Sequence, residues 1–252
     1  MAGHSHSSNI KFRKDRVDQK RAKAFAKLSR MITVAARQGG SIDGNPRLRL
    51  AVEKARVLSM AKDVIDRAIK KGTGEAGVGD YEEFTYEGYG PGGVAMMLEI
   101  LTDNRNRTAP DVRRLFDDAG GNLAANGAVS WMFERRGVFA VAPAPTLAED
   151  ALLEQALAAG AEDVVADAGA FTIYCALGDF AVVKAELERR SVPVRLAELA
   201  YVPKQRVAIA DAALARRVTR LLDQFEDNDD VQAVYSNEEF TDEVVRQLTE
   251  DA

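Results

Sequence analysis

The apolar residues of this chain change their repeat once, across the glycine-rich stretch from Gly72 to Asp80. Before it they recur every three or four residues, as one face of a helix does; after it, short alternating runs take turns with helical stripes. That switch excludes a single bundle and a single sandwich, and it predicts a helical domain followed by α/β domains. On a wheel of about 100° per residue, Phe25, Leu28, Ile32 and Ala35 share a sector of about 80°, the core-facing stripe of a first helix. Gly39-Gly40 ends it, and Asn45-Pro46 opens a second as cap and first turn, with Leu48, Val52 and Ala55 along its inner face. Val64, Ile65, Ala68 and Ile69 mark a third helix, closed by Lys70, Lys71 and Gly72.

Beyond Asp80, residues 93–101 read as an apolar strand, and Thr108-Ala-Pro-Asp111 resembles a capping box opening a helix with Val112, Leu115 and Phe116. Val129, Trp131 and Phe133 alternate as the next strand, and Trp131, Phe133, Leu98 and Ile100 are assigned to the core. Strand, helix, strand recurs across 206–235, and two further such halves lie between about 137 and 201. The expected fold class is therefore α+β with three domains: a three-helix basic domain, then two ferredoxin-like α/β domains, the second inserted into the first. The boundaries drawn are 1–75 for the basic arm and helices, 80–135 with 203–240 for the discontinuous domain, 136–202 for the insert, and 241–252 for a tail.

Charge divides the chain at the same place. Residues 1–72 carry 18 Lys+Arg against 6 Asp+Glu, a balance of +12, and the remainder carries 16 against 33, a balance of −17, within a total of −5. A basic segment on an acidic body points to a polyanion partner at one end. Lys20, Lys23, Lys27, Arg30 and Arg37 lie within about 100° on the first helix, centred roughly 150° from its apolar stripe, as a cationic rail. Both histidines, His4 and His6, are in the leading tail, so the body lacks the imidazole of a Ser-His-Asp triad, a Cys-His dyad or a His-rich zinc site. Cys175, the one cysteine, sits in an alternating apolar run and reads as core. No run reaches the roughly 18 apolar residues of a membrane span, and the polar, basic first residues lack the apolar centre of a signal peptide, so a cytoplasmic, non-enzymatic protein without metal or cofactor is expected.

The opening arm, Ile32-Thr-Val-Ala-Ala-Arg-Gln-Gly39, Asn45-Pro-Arg-Leu-Arg49, Arg67-Ala-Ile-Lys-Lys-Gly-Thr-Gly74, Tyr86-Glu-Gly-Tyr-Gly-Pro-Gly-Gly93 and Leu101-Thr-Asp-Asn-Arg-Asn-Arg-Thr108 together resemble the YebC/PmpR family. The resemblance runs from Met1 to about Asn237. It implies a helical first domain and two α/β domains, the last inserted into the middle one. It also implies regulation of gene expression: members are described as DNA-binding transcriptional regulators. They resemble the mitochondrial translational activator of cytochrome oxidase as well, and some bacterial members are regarded as ribosome-associated factors that relieve stalls at proline-rich stretches. The usual opening of the family, Ser-Lys-Trp, a small residue, then Asn-Ile-Lys-His-Arg-Lys, is altered here: His6 replaces the lysine, Ser7 the tryptophan and Phe12 the second histidine.

The expected nucleic-acid contacts are Lys11, Arg13, Lys14, Lys20, Arg21, Lys23, Lys27 and Arg30 on phosphates, with His4 beside them and with His6 and Phe12 placed to stack on bases. Arg105 and Arg107, at a strand-to-helix junction, form a candidate second anion contact, the alternative being that they and their neighbours shape the loop. Gly88-Tyr-Gly-Pro-Gly-Gly93 lacks the Lys-Ser/Thr ending of a P-loop and reads as a turn. Glu226-Asp-Asn-Asp-Asp230 is too short for an EF-hand and lacks its glycine, so it reads as a solvated turn. Two other functions compete with the regulator: an adaptor whose acidic body binds protein, and a magnesium-dependent nuclease using carboxylates such as Glu99, Asp103 or Glu134, for which no convergent cluster is visible.

Overall fold

The computed structural model describes residues 21–74, 81–141, 149–167 and 170–250; for Arg21, Ala22, Glu149, Asp167 and Glu250 it describes the backbone alone. The protein is of the α+β class, a helical region followed by sheet-containing domains. Its described residues fall into two compact units, 21–129 with 217–234, and 130–216 with 235–250.

In the first unit, α1 (Arg21–Ala36), α2 (Pro46–Val57) and α3 (Lys62–Thr73) close around one apolar cluster. Leu28, Ile32 and Ala35 supply the α1 face, Leu48, Val52 and Ala55 the α2 face, and Ile65 and Ala68 the α3 face, all buried. Asn45 is the joint between α1 and α2: its carbonyl oxygen accepts from Leu48 N at 3.1 Å, while its amide donates to Ala35 O and Gly39 O at 2.8 and 2.9 Å. One side chain thus satisfies orphan groups at both helix ends. Gly72 differs from expectation. It lies inside α3, not beyond it, and a Cβ there would overlap the Thr33 carbonyl oxygen and come within 2.6 Å of Ala36 Cβ.

The same unit holds a sheet in the order β3-β1-β2-β9, formed by β1 (Glu82–Tyr89), β2 (Ala95–Thr102), β3 (Asn122–Ala124) and β9 (Val231–Ser236). β1 and β2 are an antiparallel hairpin closed by Pro91–Gly93, with Gly92 and Gly93 at φ of 73° and 76°, a region that favours glycine. The glycine string read as a turn is this hairpin connection. Helices α4 (Arg105–Asp118) and α7 (Ala212–Asp227) meet through Phe116 and Phe225, whose ring centres are 4.8 Å apart. Gly88 leaves room for the Phe116 ring on the strand beneath. The α4 start lies three residues ahead of the expected capping box because Asn104 caps it, accepting from Arg107 N at 3.0 Å, so that Pro110 falls inside the helix.

In the second unit β4 (Phe133–Val141), α5 (Glu149–Ala158), β5 (Asp163–Asp167), β6 (Ala170–Ala176), α6 (Phe180–Arg189) and β7 (Val194–Pro203) form an antiparallel sheet in the order β5-β6-β4-β7. That succession and order are those of a ferredoxin-like sandwich. Phe139 stacks on Phe180 at 5.1 Å, and Cys175 is buried against Gly137, where a Cβ would collide with its sulfur. β4 is unbroken from Phe133, across the 135/136 boundary drawn from the sequence.

Two local readings are corrected. Trp131 is not core: the buried Glu87 carboxylate accepts from Gly127 N and Val129 N at 2.8 Å, the chain then turns through Ser130–Met132, and Trp131 is left 62% exposed. The strand β8 (Val207–Ile209) does not join the β9 sheet but pairs in parallel with β10 (Glu238–Phe240). The stretch read as a tail contains α8 (Asp242–Glu250). Among the described residues no helix is long and apolar enough to cross a membrane.

Candidate nucleic-acid interface

Of the residues expected to contact phosphate, His4, His6, Lys11, Phe12, Arg13, Lys14 and Lys20 lie outside the described residues, and Arg21 is described only in its backbone at the head of α1. Lys23, Lys27 and Arg30 share one face of α1, as spacings of four and three require. That face is not an open rail. It meets the C-terminal end of α7, whose last carbonyls have no partner within the helix and carry the negative end of its dipole. Lys27 Nζ donates to Glu226 O at 2.5 Å, Lys23 Nζ to Asp227 O at 3.5 Å, and Arg30 Nη1 to Asp229 O at 2.7 Å. Carboxylates reinforce these bonds: Asp227 lies 3.8 Å from Lys23, and Asp229 and Asp230 lie 3.9 and 3.4 Å from Arg30. The stretch read as a solvated turn is therefore an acidic seat for the first helix.

Asp230 organises that seat. Its carboxylate, 8% exposed, accepts from Arg107 Nη2 at 2.9 and 3.1 Å, from Thr108 Oγ1 at 2.8 Å and from Arg30. Its backbone is tied down too: Leu101 N donates to Asp230 O at 2.8 Å, and Asp230 N donates to Asn228 Oδ1 at 2.9 Å. Arg107 stands in the first turn of α4, where the helix dipole disfavours a cation, and Asp230 together with Asp103 at 3.0 Å offsets that field. The Asp230 hydrogen bond raises the Arg107 pKa further. Arg105 packs its guanidinium 4.4 Å over the Phe84 ring and 3.8 Å from Glu82. The second anion contact expected at Arg105 and Arg107 thus meets protein carboxylates and an aromatic ring in this structure. Beside Asp230 opens a cleft of about 410 Å³, lined by Arg30, Arg107 and four aspartates, Asp103, Asp111, Asp229 and Asp230. Its carboxylates outnumber its cations, which disfavours phosphate.

Burial pushes the Lys27 ammonium down from an ordinary 10.5 to about 8, against the opposing pull of Glu226, Asp229 and Asp227. The sign follows from proton binding. Between about pH 8 and 10.5 the folded protein has released this proton while the unfolded chain keeps it, so stability rises with pH in that window. Urea titrations of the parent and of Lys27→Met across the window should show the parent gaining on the variant as pH rises; a constant difference would rule out the buried cation.

Exposed cations not singled out as contacts from the sequence stand on α2 and α3. Among the described residues Arg56, Lys62, Lys70 and Lys71 are exposed and none makes an ion pair with another described residue. Lys62 and Lys70 stand two turns apart along α3, with Lys71 beside them. Exposure was the missing signal: in sequence these lysines resemble those of α1.

Comparison with known proteins places both regions. Residues 5–75 match the family model described as the TACO1/YebC protein N-terminal domain, and residues 81–238 match that of the TACO1/YebC second and third domain. A "Probable transcriptional regulatory protein" of Halothermothrix orenii is 50% identical over 253 residues, covering 100% of both chains. The "Transcriptional regulatory protein PmpR" of Pseudomonas aeruginosa is 48% identical over 250 residues, covering 98% of this chain and 100% of that one. Among solved structures, a conserved hypothetical protein of Aquifex aeolicus superimposes with a TM-score of 0.82 at 45% identity, over 90% of this chain and 93% of the other.

Proposed function

The chain belongs to the TACO1/YebC family, and from that premise we propose that it is a non-enzymatic regulator of gene expression that grips nucleic acid through its basic amino-terminal region. The observation that carries this reading is that Arg56, Lys62, Lys70 and Lys71 are exposed and make no ion pair with another described residue, in an amino-terminal segment, residues 1–72, whose charge balance is +12. In this reading Lys11, Arg13, Lys14, Lys20 and Arg21 hold phosphates beside those four. His6 and Phe12 stack, Phe12 standing in for the aromatic ring lost at Ser7, and His4 adds a donor. The regulator names of the relatives favour DNA. Cys175 supports the non-enzymatic part, since burial pushes its thiol up to about 11, the opposite of an activated nucleophile.

The test is a salt series. With about six phosphates neutralised on a duplex, log affinity should fall against log salt with a slope near −5, since each contributes about 0.9. A variant with Lys11, Arg13 and Lys14 changed to Glu should bind more weakly and with a slope shallower by about 3. Salt-independent binding, or none to duplex DNA and RNA alike, would leave the acidic body as a protein-binding surface instead. Sedimentation with ribosomes, lost in the same variant and at high salt, would move the partner from DNA to ribosomal RNA.

A further inference from the structure

We propose that the acidic turn of residues 226–230 is an internal competitor for nucleic acid, occupying the Lys23, Lys27 and Arg30 face of α1 and yielding it when a phosphate backbone arrives. The inference rests on the nucleic-acid reading above and adds regulation to it. The turn offers what a phosphodiester offers: outward oxygens bearing negative charge, in line with three cations of one helix face. Glu226 O, Asp227 O and Asp229 O accept from the three side chains, and the Asp227 and Asp229 carboxylates stand 3.8 and 3.9 Å from Lys23 and Arg30.

Three features distinguish such a competitor from a structural clasp. First, α1 does not need these bonds to stay in place, because Leu28, Ile32 and Ala35 already bury its opposite side against α2 and α3. Second, each outer pair has one accessible member. The side chains of Lys23 and Asp229 are 54% and 62% exposed, so a rival anion can reach both, whereas Arg30 is 23% exposed and the Asp227 oxygen that faces Lys23 is itself buried. Third, the turn is anchored independently of α1, through Asp230 to Arg107 and Thr108 and through Leu101 N to Asp230 O. The seat persists when the helix face is given up, and can close again when the ligand leaves.

The experiment compares the full-length parent, an Asp227→Asn/Asp229→Asn variant and a charge-matched control, Asp43→Asn/Asp117→Asn, on fluorescein-labelled duplex DNA and single-stranded RNA of one sequence. Asparagine keeps the shape and the backbone carbonyls while removing the two carboxylates. With the Asp227 and Asp229 carboxylates gone, Lys23 and Arg30 are held by backbone carbonyls and, for Arg30, by Asp230, and their transfer to phosphate should steepen the salt slope by up to about 1.4 to 1.8, at about 0.7 to 0.9 per added phosphate contact, and tighten binding about fivefold over the control near 0.1 M salt. Should circular dichroism show the double variant misfolded, Asp229→Asn alone carries the test on Arg30, with a steepening of about 0.7 to 0.9. A turn variant that matches the control in affinity and slope, while the parent binds with its own salt slope, overturns the competitor and leaves the nucleic-acid reading standing. Failure of the parent and both variants to bind either probe overturns the nucleic-acid reading itself, and the competitor with it.

Discussion

Replacing Asp230 with alanine is expected to lower the unfolding free energy by about 2–4 kcal/mol, the range for removing one partner of a buried, charge-assisted hydrogen-bond network whose other charges can partly rehydrate. Asp230 is buried and answers Arg107, Thr108 and Arg30 at once. Without it Arg107 keeps only Asp103 against the positive end of the α4 dipole, and the buried Thr108 hydroxyl must turn to Thr102 Oγ1 or Asn104 O, at 2.9 and 3.0 Å. Arg107 is half exposed, so part of its loss is recovered from water, which is why the upper range for a fully buried pair is not expected. Asp230→Asn separates the contributions. It can still accept from Thr108 but carries no charge, and should cost roughly half as much. Urea denaturation of the three proteins measures both steps. A loss below about 1 kcal/mol for the alanine variant would mean that Asp230 decorates the turn and does not organise it.

That residue also shows where sequence reading reaches its limit. The α1 stripe of Leu28, Ile32 and Ala35, the Asn45-Pro46 start of α2 and the strand–helix succession of the ferredoxin-like unit are legible because each depends on residues within one or two turns or strands of one another. The seat for α1 is not local. Lys27 and its acceptor Glu226 are 199 positions apart, and nothing in a five-residue acidic run says which cation it will face. The charge balance of residues 1–72 against the remainder pointed to a polyanion partner for the basic end, and carried no sign that Lys23, Lys27 and Arg30 face an acidic turn of the chain itself. Trp131 was misread for a different reason: alternation with Val129 and Phe133 mimics a strand, whereas Glu87, forty residues earlier, binds the backbone at Gly127 and Val129 and sets the turn. The α4 start was displaced by a competition between two capping signals, in which Asn104 takes the Arg107 N–H and draws Thr108, Ala109 and Pro110 into the helix.

Gly72 was legible as a glycine near a helix end, and the structure gives it a different role that predicts the other large effect. Gly72→Ala should destabilise the first unit by about 3 kcal/mol, as overpacking against backbone does. The added Cβ has no room: it would overlap the Thr33 carbonyl oxygen, in the last turn of α1, and approach Ala36 Cβ to 2.6 Å. A flexible side chain could swing aside, but a helix carbonyl moves only if α1 and α3 separate along their length. Separation also strains the buried Thr33 hydroxyl, which lies 3.2 Å from Ala68 O across the same contact. Alanine would gain up to about 1 kcal/mol in intrinsic helix propensity over glycine, so a net loss isolates the packing clash from the backbone preference. Gly93→Ala is not a fair comparison, because its φ of 76° is itself costly for a side chain. Gly44→Ala, in the turn before α2, is the better contrast, since its Cβ would meet the Ser41 side chain at 3.5 and 3.6 Å, ordinary van der Waals contact. Melting both variants by circular dichroism decides between the two roles: equal losses would return Gly72 to an ordinary helix terminator, whereas a much larger loss at Gly72 identifies it as the contact that lets α1 and α3 close.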